Sequence, residues 1–407
     1  MAGPLSHIRV LDLSRVLAGP WASQNMADLG AEVIKVERPG SGDDSRAFGP
    51  PWVKDRRGRD TKDSAYFTSA NRGKKSITLN IAAEEGQAIA RELARSCDVL
   101  IENYKHGDLA RYGLGYEDLR KANRGLIYCS VTGFGQTGPY RERPGYDFMI
   151  QGMGGMMSVT GEPDDAPGGG PQRAGVPIAD IITGMYASIA ICAALAHRAQ
   201  SGLGQHLDLA LLDSQIALLA YQNTNYFATG EPPKRIGNLH PNIVPYQPFR
   251  TRDGEVILAC GNDNLFRKFC EAAGCHALAE DSRFATNGKR VENRAELTRL
   301  LAQVLLGRST REWVQLLEAA GVPNGPINDI AQVFAEPQVK ARGIRIELEH
   351  SGGAMLPLVA SPMRFSETPV EYRLAPPLLG EHTDEVLRGL LGKSDVEIAR
   401  LRAGGVV

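Results

Sequence analysis

The chain is predicted to be an α/β protein, with a Rossmann-like, doubly wound parallel sheet in a large domain and a smaller α+β domain. Three observations predict it. Short β-branched and apolar runs alternate with helical stretches up to residue 213, the pattern of strand–helix–strand crossovers. The texture changes near 225–250 to TGEPPKRIGNLHPNIVPYQPF, a linker-like segment. The length, 407 residues, exceeds what one ordinary domain holds.

The elements follow in order. IRVLDLS (8–14) reads as a strand. Pro20 suits the first turn of the helix WASQNMADL, and Gly30 stops it. AEVIKVE (31–37) is a second strand ending at Glu37-Arg38, followed by a polar loop. SITLN (76–80) is a third strand, and 82–96 a helix with Ala, Ile and Leu at helical spacing. DVLIEN (98–103) and LIYCSVT (126–132) are further strands. Residues 140–175, rich in Gly, Pro and Met, are expected to form loops lining a site. A long helix over 178–200 precedes HLDLALLD (206–213), a strand running into a helix. The strand VILACG (256–261) and helices over 264–273, 294–306 and 310–319 suggest the second domain. The tail 335–407 carries short strands and a closing helix. The expected division is 1–225 for the first part of the large domain, 226–330 for the small domain, and 331–407 for a return to the large one.

Apolar residues make up 43% and charged residues 23%, an ordinary globular balance, with a net charge of −1. No overall field would hold nucleic acid or an anionic membrane, so an anionic ligand must be gripped by local basic clusters. Val176–Ala196 is the most apolar stretch, but it contains Asp180, Thr183 and Ser188 and reads as a buried helix rather than a membrane span. The six cysteines include no C-x-x-C pair and no zinc spacing, so no metal site is expected. The start, MAGPLSHIRVLDLS, passes into a strand without a leader pattern. A reducing compartment, the cytoplasm, is the expected location.

Gly133-Phe-Gly-Gln-Thr-Gly138 matches a dinucleotide pattern, but Pro139 and Pro144 follow where a helix should open, so it reads as a glycine-lined loop at a strand end. The first strand–helix loop, SRVLAGP, has a single glycine and lacks the tight pyrophosphate turn. Basic residues recur near predicted strand ends: Arg38, Arg72 with Lys74 and Lys75, Lys105, and Arg111. Parallel strands end at one edge, so together they would suit a ligand with several phosphates. Asp180 sits at the first turn of the apolar helix. Two readings stand: an N-terminal cap or first-turn acid favoured by the helix dipole, or a semi-buried carboxylate kept ionised for use as a nucleophile. No Ser/His/Asp or Cys/His pattern and no Gly-x-Ser-x-Gly elbow is present.

The chain resembles the class III CoA-transferases, the formyl-CoA and carnitine CoA-transferase family that also holds the α-methylacyl-CoA racemases. The resemblance is carried by VLDLSRVLAGP (10–20), GAEVIKVERPGSGDDSR (30–46), NRGKKSITL (71–79), DVLIENY (98–104), SVTGFGQTGP (130–139), GYDFMIQGMGG (145–155), GVPIADIITGMYA (175–187), GQHLDLALLDS (204–214), GNLHPNIVPYQPF (237–249), GVPNGPIND (321–329) and LGEHTDEVL (379–387), spread over nearly the whole length. It implies a large domain formed from both chain ends, an interlocked homodimer, and acyl-CoA and a carboxylic acid as substrates with no tightly bound cofactor. Asp180 falls on the family's catalytic aspartate. Arg38, Arg72, Lys74, Asn103, Tyr104, Lys105 and Arg111 fall on CoA-binding positions, with backbone contacts expected from Val16 and Ala18. The racemases carry a histidine where this chain has Tyr146, and a tyrosine is poorly matched to two-base proton exchange. The transferase branch is therefore expected, with a racemase or epimerase as the alternative. The formyl-CoA branch has a glutamine where Leu17 stands, and a run of glycines where this chain has CGND (260–263). A small dicarboxylate is expected, with succinyl-CoA as donor. Arg46 is expected to pair a distal carboxylate, Tyr146 to lie at the substrate, and Gly154, Gly155 and the Gly261-Asn262 loop to let backbone amides approach the developing oxyanion.

Overall fold

The computed structural model describes residues 3–407. Six strands form one sheet: β1 (Arg9–Asp12), β2 (Glu32–Glu37), β3 (Lys74–Thr78), β4 (Val99–Glu102), β5 (Ile127–Thr132) and β6 (His206–Ala210). All neighbouring pairs are parallel, in the order β3-β2-β1-β4-β5-β6. The chain thus works outward on one side, then crosses back and works outward on the other. This is the doubly wound order, whose reversal between β1 and β4 leaves a crevice beyond the strands' carboxyl ends.

Alternate strand residues enter two cores, as a period of two requires for a sheet covered on both faces. Leu11, Ile34 and Leu100 pack against α2 (Glu84–Arg95) and the tail helices Thr383–Leu391 and Asp395–Ala403. Val10, Val33 and Val99 pack against α1 (Ala18–Asp28) and the long helix that begins at Ile178. The helix α3 (Asp147–Met153) precedes that long helix, α4 (Ile178–Ser201), and α5 (Leu211–Leu218) follows β6. Gly184 lets α1 and α4 touch, since a Cβ there would lie 2.6 Å from the Ala18 carbonyl oxygen.

By length and composition α4 could cross a membrane. Ala179, Thr183, Ala187, Ile191 and Ala194 are buried on one stripe against the sheet and α1. The expectation of a buried helix holds for that stripe alone, because Met185 and Ile189 remain exposed.

The chain divides into two compact units: residues 1–156, 174–228 and 338–407, and residues 157–173 with 229–337. The second unit has a three-stranded antiparallel sheet, Asn324–Pro326, Glu255–Ala259 and Tyr246–Arg250. Helices Asp263–Ala273, Arg294–Leu305 and Thr310–Ala319 enclose Phe249, Phe266, Phe269, Leu301 and Trp313 with it. The segment 157–173, expected in the large domain, belongs here. Gly237 donates its N–H to the Gly161 carbonyl at 3.0 Å, and Arg235 pairs with Asp164.

Other elements depart from expectation. The polar loop after β2 contains a hairpin, Trp52–Lys54 with Asp60–Ser64, and the tail ends in two helices rather than one. The glycine-rich stretch before Asp180 includes α3. The third strand begins at Lys74, two residues before the predicted start, because both lysines are satisfied inside the fold. Lys74 pairs with Asp12 at 3.1 Å, and Lys75 with Glu32 at 2.9 Å and Glu385 at 2.8 Å.

Candidate active site

The loop leaving β1 forms the floor of the switch-point crevice. Asn103, just past β4, clamps it: its amide donates to the Arg15 carbonyl at 2.7 Å and accepts the Arg15 N–H at 2.9 Å. The Val16 N–H donates to Asp43 at 3.1 Å. Asp43 is in turn ion-paired with Lys35 at 2.8 Å, and Lys35 also donates to the Ser14 carbonyl at 2.9 Å. Burial opposes charge on Asp43, but Lys35 and Ser45 outweigh it and hold its carboxyl well below the usual range. These buried ions fix Val16 at φ 70°, a strained conformation for a β-branched residue that costs about 1–3 kcal/mol. Strain of this kind collects where backbone must be presented to a ligand.

The crevice above this loop spans about 1000 Å³, open solvent included. Val16, Ala18, Asn103, Tyr104, Lys105 and Tyr146 line it, and Asp180 lies within it. Asp180 is the third residue of α4, but it does not cap the helix. Asp147 on α3 does so, accepting the Ala179 N–H at 2.8 Å and the Asp180 N–H at 3.4 Å. Gln151, one turn on, donates to Asp147 at 2.7 Å and accepts the Ala174 N–H at 2.8 Å. The helix-start donors are thereby used, and the Asp180 carboxylate accepts no hydrogen bond among the described residues. Asp180 is a first-turn acid, as one of the two readings has it, but the capping role falls to Asp147. The dipole does not keep Asp180 strongly acidic either, since burial and then the Asp147 charge push it up to about 7.

A second crevice, of about 670 Å³ with open solvent included, lies next to the first, and Arg15 and Tyr104 line both. Arg38, at the end of β2, lines it and forms no ion pair among the described residues. Leu79, Asn80, Ile81 and Ala82 form another wall. Tyr104 is held at the junction by Glu102, which accepts its N–H at 2.8 Å, while the Arg15 guanidinium lies 5.4 Å from its ring centre. Burial pushes Glu102 up to about 7.

The structure brings Asp180, Val16, Ala18, Asn103, Tyr104, Lys105, Tyr146 and Arg38 to these two crevices and leaves the other expected residues outside them. Arg72 and Lys74 stand at the amino end of β3, the edge away from the crevice. Arg72 is bound to Asp28 at 2.5 Å and donates to the Val359 carbonyl at 2.9 Å. Lys74 is fully buried on Asp12, Pro20 and Asn71. The third-strand contribution comes instead from Leu79–Ala82, beyond its carboxyl end. Arg111 lies on a surface turn, pairs with Asp108 and lines neither crevice. Arg46 is 4% exposed, bound to both Glu37 oxygens at 2.7 Å and to Asp63 at 2.6 Å, with its plane 3.7 Å from the Phe67 ring centre. It has no face left for a substrate carboxylate.

Gly154 spends its N–H on the Ile150 carbonyl at 2.7 Å, and neither it nor Gly155 lines the Asp180 crevice. Gly261 and Asn262 lie in the second unit. Asn262 caps helix Asp263–Ala273 there, accepting the Leu265 N–H at 2.9 Å. Arg141 and Arg143, not singled out from the sequence, line the Asp180 crevice. The loop Gly133–Gly138 opens no helix, and Gly133 packs so closely on Gly145 that a Cβ would lie 2.5 Å from its Cα.

Fold and crevices together define a protein of the doubly wound class with the carboxylate Asp180 in a crevice beyond its strands. The chain belongs to the CoA-transferase family III, whose sequence model matches residues 5–383. It is 52% identical over 387 residues to the succinate–glutarate CoA-transferase of Agrobacterium fabrum, covering 95% of this chain and 96% of that one. It is 44% identical over 404 residues to the human succinyl-CoA:glutarate CoA-transferase, covering 99% of this chain and 90% of the relative. Its fold matches the crystal structure of a CaiB/BaiF family protein from Brucella suis with a TM-score of 0.83 at 49% identity, covering 96% of this chain and 100% of the other.

Proposed function

We propose that the protein transfers coenzyme A from succinyl-CoA to a small dicarboxylic acid, glutarate foremost, with Asp180 as the nucleophile. The observation that carries this reading is the adjacency of the two crevices. They share Arg15 and Tyr104, and hold Arg38, unpaired among the described residues, in one and Asp180, whose carboxylate accepts no hydrogen bond among them, in the other. That layout suits a ligand with phosphates at one end and a thioester at the other. The identities to two succinate–glutarate enzymes support the acid pair.

In the proposed chemistry Asp180 attacks the thioester carbonyl. The C–S bond breaks, giving a mixed anhydride and CoA thiolate. The thiolate attacks the aspartyl carbonyl and releases succinate, leaving an aspartyl-CoA thioester. The acceptor carboxylate runs both steps in reverse, so the thioester free energy is kept provided water is excluded. Arg15, Lys105, Arg141 and Arg143 line the Asp180 crevice and would draw an acid in.

Incubation with succinyl-CoA and glutarate is expected to yield glutaryl-CoA and succinate. Failure to transfer, with exchange of the α-proton of a 2-methylacyl-CoA in deuterated water, would overturn the reading in favour of a racemase. Arg38→Ala is expected to raise KM for the acyl-CoA roughly tenfold, about 1.4 kcal/mol, with kcat little changed, because the contact is remote from the reacting carbon. An unchanged KM would remove Arg38 from the site.

The proposal includes an interlocked homodimer, as the family resemblance implies. Ile189 on α4 is 63% exposed and Phe227 77% exposed, with Met185, Tyr221 and Tyr226 also open to water. So much large apolar surface calls for a covering partner. Light scattering on the purified protein is expected to give the mass of two chains, and a single-chain mass would contradict it.

A further inference from the structure

The second unit holds a thiol pair that the proposed transfer does not use. Helix Asp263–Ala273 ends at Gly274, whose φ of +70° is left-handed. The Gly274 N–H donates to the Glu271 carbonyl at 3.2 Å, and the Cys275 N–H to the Cys270 carbonyl at 2.9 Å. These nested bonds make a Schellman turn, which sets the residue after the glycine against a side chain of the last helical turn. Ordinarily that contact is apolar. Here both positions are cysteine, and Cys275 packs against the core cluster that holds Cys270.

We propose that Cys270 and Cys275 form a reversible dithiol–disulfide site oxidised by hydroperoxides. The turn sets the two side chains on one side of the helix end, and the short chain between them is held by the two backbone bonds, so closing the ring needs little rearrangement. Cys275 is half-buried and open to a small reagent, whereas Cys270 is fully buried in the core of this unit. The neighbouring Cys270 thiol lowers the Cys275 thiol below its ordinary value, and the same pairing, with burial, raises Cys270. Cys275 is therefore the attacking sulfur and Cys270 the resolving one.

In the first step the Cys275 thiolate attacks one peroxide oxygen. The O–O bond breaks, hydroxide leaves and is protonated to water, and Cys275 becomes a sulfenic acid. The Cys270 sulfur then attacks the Cys275 sulfur, the S–O bond breaks, and a second water leaves carrying the Cys270 proton. Two thiols have lost two electrons and two protons, and one peroxide has become two waters.

Cys260 is the competing partner, since it lies near enough to raise Cys270, but its sulfur points to the Leu265 carbonyl at 3.8 Å. The test treats the full-length protein with hydrogen peroxide, alkylates free thiols and maps tryptic peptides by mass spectrometry. Residues 269–283, between Lys268 and Arg283, carry both cysteines on one peptide. The expected result is loss of two hydrogen atoms from that peptide, with both thiols protected, before any other cysteine reacts, and recovery with dithiothreitol. Cys270→Ser is expected to stop at a sulfenic acid on Cys275, trapped by dimedone. The proposal is overturned if Cys270 alkylates freely in the oxidised protein, if the bond maps to Cys260, or if another cysteine oxidises first. The wild-type map decides this even if the serine variant does not fold.

Discussion

Asp180→Asn is expected to lower transfer by a factor on the order of 10⁴ or more, the scale seen when a covalent nucleophile is removed. The fold should survive, because the carboxylate accepts no hydrogen bond and the helix start is capped by Asp147. Stability supplies a second readout whose sign follows from linkage. The folded pKa of Asp180 is raised from 3.8 to about 7 by burial and then by Asp147. Between those values the folded state binds more protons than the unfolded one, so this group erodes stability as pH rises from about 4 to about 7. Asp180→Asn removes that erosion. The variant should therefore gain stability relative to the parent at pH 8 compared with pH 4, as read by urea denaturation at both values. Donor loading should rise with pH through about 7 in the parent, since only the ionised carboxylate attacks. Full turnover in the variant would remove Asp180 from the mechanism.

Arg46→Ala should act on folding instead of on substrate recognition. Removing the guanidinium leaves Glu37 and Asp63 buried without their cation, at an expected cost of about 3–5 kcal/mol. Burial opposes charge on Glu37, and Arg46 overcomes it to hold that carboxyl below 4.5. A depressed carboxylate stabilises the fold above its unfolded pKa and loses that contribution as pH falls, so the loss in the variant should be greatest near neutrality and shrink towards pH 4. A stable Arg46→Ala protein with a raised acceptor KM would restore Arg46 as a substrate-binding residue.

The same two residues show what can be read from sequence. Asp180 stood out because a carboxylate amid Val176, Ile178, Ile181 and Ile182 must be satisfied or used, and that tension is local. Arg46 sits in a polar loop, GDDSR, and looked free. Its partners are Glu37 and Asp63 on neighbouring segments, a through-space pairing with no local signature. Strand periodicity placed most sheet strands closely, but for β3 it favoured the apolar end of the segment. Shifting the start to Lys74 moves Arg72 and Lys74 to the wrong edge and brings Leu79–Ala82 to the crevice. The Asp147 cap and the membership of residues 157–173 likewise depend on contacts between segments far apart in the chain. The two cysteines at 270 and 275 were visible as residues, but their meeting depends on Gly274 turning left-handed.

The most direct test of the central claim is intact-protein mass spectrometry after brief incubation with succinyl-CoA, quenched with hydroxylamine or borohydride and followed by peptide mapping. A modification confined to Asp180 is expected, present with succinyl-CoA and absent in Asp180→Asn. Undiminished transfer with no adduct on Asp180, or an adduct on any other residue, would contradict it.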